Sequence, residues 1–88
     1  MNATATFATP VSLEKLPRHA HATVAQIDWT RLSVPEARRL RELGFDEGVD
    51  IEMLHRSPFG SGPIACRIGR MTVALRRAVA ASVRVLPA

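Results

Sequence analysis

Three histidines and two glutamates carry the metal-binding potential of this chain: His19, His21 and His55, with Glu14 and Glu52. Imidazole suits borderline metals such as zinc and nickel better than labile ferrous iron in water, and a tight site uses three or four ligands. His19 and His21 stand two apart in a stretch that reads as a strand, where alternation sends both imidazoles to one side. With Ala22 and Val24 inward, that side is the solvent. His55, Glu52 and Glu14 are candidate third ligands, none at a spacing that brings it to the pair. His55 shares parity with Ile51 and Met53, which reads as a strand-end histidine partly covered by the core. The set predicts no required cofactor. At most it predicts a surface site for zinc or another divalent transition metal, completed by a second molecule in a weak metal-mediated homodimer.

Catalytic constellations are missing. There is no Ser/His/Asp or Cys/His set in a favourable context, and Gly60-Ser61-Gly62-Pro63 opens a strand rather than a helix whose N-terminus could bind phosphate. The expectation is a protein that is not an enzyme. The single cysteine excludes an internal disulfide and a Cys-rich zinc knuckle. Eleven arginines against one lysine give a net charge of +4. They are spread over every predicted element, without the interleaved aromatic residues of a base-stacking platform, so no nucleic acid is expected as partner. An arginine could serve a partner GTPase as a finger, but Arg39 reads better as pairing with an acid or laying its stem on the sheet. Phe59, in the Pro/Gly tip, and Phe45, just past a helix, are aromatic residues at loop positions. With Arg56 and Arg39 they form the candidate partner-binding set, because an aromatic flanked by arginine makes a good contact anchor. The alternative for Phe45 is closure of the helix onto the core. Trp29 is open between a place at the barrel bottom and one in an interface.

The elements that must position these residues are legible in the pattern. Ser33 and Glu36 form a capping box with Pro35 in the first turn, and Gly44 ends the helix that Val34, Ala37, Leu40 and Leu43 stripe with apolar side chains. Taking Gly69-Arg70 as a two-residue loop with glycine first, a type II′ turn, puts Ile68 opposite Met71, Cys66 opposite Val73 and Ile64 opposite Leu75 on one apolar face. Cys66 is then a small buried hydrophobe. Val49, Ile51 and Met53 alternate as another strand; His21–Asp28 is a first strand with a bulge before Ile27; Ser82–Leu86 is a last one. Ser12 caps one turn that docks Leu13 and Leu16, and Arg77–Ala81 forms another turn.

Residues 1–10, rich in Ala and Thr without periodicity, read as a disordered segment, and 11–88 as a single domain. No apolar run approaches the roughly 20 residues of a membrane span and no signal peptide is evident, so a cytoplasmic location is expected. Five short strands and one inserted α-helix make a mainly β fold, a small partly open β-barrel.

In order and spacing these residues resemble the ferrous-iron transport A (FeoA) family. The resemblance runs through Leu13-x-x-Leu16-Pro17, Ala22-x-Val24, Ala37-x-Arg39-Leu40-x-x-Leu43-Gly44-Phe45-x-x-Gly48-x-x-Ile51, the Gly/Pro tip before Ile64, Val73-Ala74-Leu75-Arg76 with Ala80, and Val83-x-Val85. It implies an SH3-like barrel acting as a cytosolic accessory of bacterial ferrous-iron uptake. The implied partner is a membrane ferrous-iron permease with a cytosolic GTPase domain, which would hold the module at the inner membrane. Related barrels end iron-dependent repressors, so a basic nucleic-acid-binding or repressor-type module is the alternative. Two loop positions depart from the family pattern: His19 stands where a glycine often follows Leu-Pro, and Ser61-Gly62-Pro63 replaces Gly-Asp-Pro.

Overall fold

The computed structural model describes residues 9–57 and 62–88. Most of the 1–10 segment, and Phe59 with most of the Pro/Gly tip, lie outside the described residues. The strands are β1 (Val11–Ser12), β2 (His21–Ile27), β3 (Asp50–His55), β4 (Ile64–Ile68), β5 (Met71–Leu75) and β6 (Val83–Pro87). They form one antiparallel sheet in the order β1-β6-β2-β3-β4-β5, whose two end strands do not pair with each other. The sheet thus curls into a partly open barrel. Among the described residues it has one strand more than the sequence pattern suggested, because β1 is two residues long and owes its existence to pairing with Arg84 and Val85.

The hairpin register is the one that counting gives: Ile68 faces Met71, Cys66 faces Val73 and Ile64 faces Leu75. Gly69 has φ 59° and Arg70 a negative φ, the type II′ arrangement. Cys66, Ile64, Val73 and Leu75 enter the core, whereas Met71 at the hairpin end stays 45% exposed. The bulge before Ile27 is present, between Val24 and Gln26. The 3-10 turn Leu13–Lys15 buries Leu13 and Leu16 completely, although the Ser12 side chain makes no capping bond.

Helix α1 (Val34–Leu43) starts on the expected capping box, with Glu36 N–H donating to Ser33 Oγ (3.2 Å) and Ser33 N–H to Glu36 Oε1 (2.9 Å). It ends at Gly44, φ 94°, where Gly44 N–H reaches Arg41 O and Phe45 N–H reaches Leu40 O. Those two bonds are a Schellman motif, which draws the residue after the glycine back toward the helix. Phe45 is accordingly 2% exposed, in one core cluster with Leu40. The apolar stripe is buried less than its periodicity suggested: Leu40 is buried, Ala37 and Leu43 half-buried, and Val34 in the first turn 71% exposed. Helix α2 (Arg77–Ala80) supplies Val79 and Ala80 to the core.

Candidate interaction and metal-binding surface

The expected metal ligands fall in three places. His21 begins β2 opposite Glu52 on β3, and Glu52 lies opposite Arg67 on β4, so the three cross the outer face in a row. His21 Nε2 is 3.9 Å from Glu52 Oε2, and Arg67 Nη1 is 3.6 Å from Glu52 Oε1. The row is a charge ladder of long contacts, and the guanidinium already at the carboxylate opposes a second cation there.

His19 is not on the strand. Ala20 N–H donates to Pro17 O (3.0 Å), closing a turn in which His19 takes φ 69°. That is a type II turn with His19 at the position that favours glycine. The two-residue spacing therefore does not make His19 and His21 neighbours on one strand face, which corrects that expectation. His55 is also displaced. A register shift between Met53 and His55 interrupts the alternation, so His55 leaves the parity of Ile51 and Met53 and is exposed. Glu14 sits half-buried in the turn before Leu16. Among the described residues no three of His, Cys, Asp and Glu gather as a metal-binding group. Among the described residues, His21 and Glu52 fit two ligands of a zinc shell in one molecule, short of the three or four of a tight site.

The expected contact residues also separate. Phe45 is buried beneath the helix end, so no ring surface is left for a partner and it leaves the candidate set. Phe59 lies outside the described residues. Arg56 is half-buried, its Nη1 3.4 Å from Leu16 O, which ties it to the barrel's own backbone. Arg39 is exposed and lines a groove of about 260 Å³ between α1 and β5, with Glu36, Leu40, Ala74, Arg76 and Val79. It makes no ion pair with a described residue, so the acid partner expected for it is not there. Trp29 is half-buried, with the Arg41 guanidinium 4.3 Å from its ring centroid, a cation–π contact that fixes the indole against α1.

Two features lay beyond the sequence pattern. Arg67 joins the ladder only through β3–β4 pairing, which no turn between those strands fixes. Arg77 has Nε and Nη2 buried with no hydrogen-bond partner among the described residues. Its basic charge gave no sign that the side chain would fold inward. Cys66 is fully buried, and burial pushes its thiol up to about 11, so it is protonated at neutral pH and packs as a small hydrophobe.

A family model for the FeoA domain matches residues 11–87. The chain belongs to the FeoA family. FeoA of Stenotrophomonas maltophilia, a prokaryotic SH3-domain protein solved with zinc, is 36% identical; the match covers 89% of each chain with a TM-score of 0.72. FeoA of Chlorobium tepidum is 26% identical over 88% of this chain and 70% of that one, with a TM-score of 0.75. A manganese-dependent transcriptional repressor superposes with a TM-score of 0.80 at 21% identity, over 96% of this chain and 45% of its own, which is a likeness of fold alone. The partly open barrel is therefore of the SH3-like type carried by FeoA proteins. Comparison with curated proteins finds no match. Among the described residues no helix is long and apolar enough to cross a membrane.

Proposed function

We propose that this FeoA domain is an accessory of ferrous-iron uptake, acting in the cytoplasm as a non-enzymatic contact module for a membrane permease with a GTPase domain. The observation that carries the reading is the family match, which runs through every described strand and helix from residue 11 to residue 87. The absence of a three-ligand cluster among the described residues favours a role in contact over one as an iron carrier. Iron is then cargo for the partner. Arg39 and Phe59 are the residues proposed to meet it.

Immobilised chain should capture the cytosolic region of the permease, and Phe59→Ala should weaken that capture while leaving the melting temperature within a degree or so. Undiminished capture would remove Phe59 from the contact. A repressor-type nucleic-acid module has only the fold likeness behind it.

A further inference from the structure

Among the described residues the sheet ends on a strand with an open side: β5 has β4 as its single neighbour. The residues flanking a two-residue loop form a hydrogen-bonded pair, and such pairs alternate along the hairpin. Met71, Val73 and Leu75 therefore bond to β4, while the amides and carbonyls of Thr72 and Ala74 point away from it. Both residues are exposed, and their main-chain groups find no other backbone partner among the described residues.

An open edge pairs with another strand unless a proline, a bulge or a charge blocks it. Met71–Leu75 contains no proline or charge, and its register runs without a break. The charges stand at its ends instead. Arg70 and Arg76, both exposed, precede and follow it, and Arg39 joins Arg76 in the groove beside Ala74. The acid in that groove, Glu36, accepts from the Ser33 amide and is also within Coulombic reach of Arg76, whose charge it offsets in part.

Charge decides which strand can add there. A second copy pairing antiparallel about Val73 would set Thr72 against Ala74 and Arg70 against Arg76, twice over. Like charges directly opposite destabilise a strand pair, so self-pairing is opposed by the same arginines that attract carboxylates. We propose that the free edge of β5 takes up an extended acidic segment of a partner protein. Its main chain pairs with Thr72 and Ala74, and its carboxylates stand opposite Arg70 and Arg76. The proposal does not rest on the iron-uptake reading.

The test is a nuclear magnetic resonance titration of the full chain with an end-capped heptapeptide, Asp-Val-Thr-Val-Thr-Val-Asp. Its aspartates face the two arginines and its threonines face Ala74 and Thr72. Binding at about millimolar affinity should shift amides from Arg70 to Arg76 and slow hydrogen exchange at Thr72 and Ala74. Lysines in place of both aspartates should weaken binding roughly tenfold, since each surface pair is worth up to about 1 kcal/mol. N-methylation of both threonines should abolish it. Arg70→Glu with Arg76→Glu should reverse the preference toward the lysine peptide; Arg70→Glu alone, in an exposed turn, serves if the double variant fails to fold. Equal binding of the aspartate and lysine peptides, or undiminished binding of the methylated one, would overturn the proposal. So would full protection of the Thr72 and Ala74 amides in the free chain, which would mean that residues 1–8 or a second copy already holds the edge.

Discussion

At His19 a histidine occupies a left-handed backbone position that glycine fills without strain. The left-handed region costs an L-residue about 1–2 kcal/mol, partly offset because glycine loses more freedom on folding. His19→Gly should therefore raise stability by about 1 kcal/mol in urea unfolding. An unchanged or lower midpoint would contradict the type II turn. The same residue shows where sequence reading ran out. Pro17-Arg18-His19-Ala20 lacks the Gly or Asn that announces such a turn, so nothing in the sequence separates His19 from the strand that begins at His21. His55 failed for a related reason, since a bulge after Met53 leaves no mark in composition. What remains of the metal set is His21 with Glu52. Zinc should accordingly cause weak association that His21→Ala abolishes and Arg67→Ala, by freeing the carboxylate, strengthens. Calorimetry with sedimentation checks this, and submicromolar ferrous binding to a monomer would contradict it.

Among the elements, the helix start offers a pH signature. The Ser33 amide, donating to its carboxylate, is the main cause that holds Glu36 below its ordinary value of 4.5. A carboxyl with a depressed folded pKa stabilises fully above its unfolded value, and the contribution fades as pH falls through the folded one. Glu36→Ala should thus melt below the parent at neutral pH, and the two curves should converge at a pH below 4.5. A gap that persists unchanged into acid would assign it to something other than the capping box. Box, Gly44 terminator, II′ hairpin and β2 bulge were all legible, because each is specified by residues within a few positions of one another. The depth of helix burial was not. Periodicity says which side of α1 is apolar, but how far that side reaches the sheet depends on docking, and Val34 in the first turn stays in water. Phe45 was ambiguous for a similar reason until the Schellman bonds fixed it inward.

At the scale of the whole molecule, the order of short strands around one helix was enough to indicate a partly open barrel, and the family match over residues 11–87 agrees. The contact surface was less legible, because eleven arginines in every element look alike in sequence. Structure distinguishes them: Arg56 bonds the barrel backbone, Arg67 the ladder and Arg41 the tryptophan, while Arg70 and Arg76 flank β5 at its two ends and Arg39 lines the groove beside Arg76. A filled core, with a basic edge that has no strand partner among the described residues, is the observation behind the proposal that another protein holds this barrel. The most direct test of that role in iron uptake is transport of radiolabelled ferrous iron in cells lacking this chain. The account predicts that uptake through the permease falls several-fold while permease abundance is unchanged, and that re-expression of the parent chain restores it. Uptake equal to that of the parent cells would contradict the proposed role.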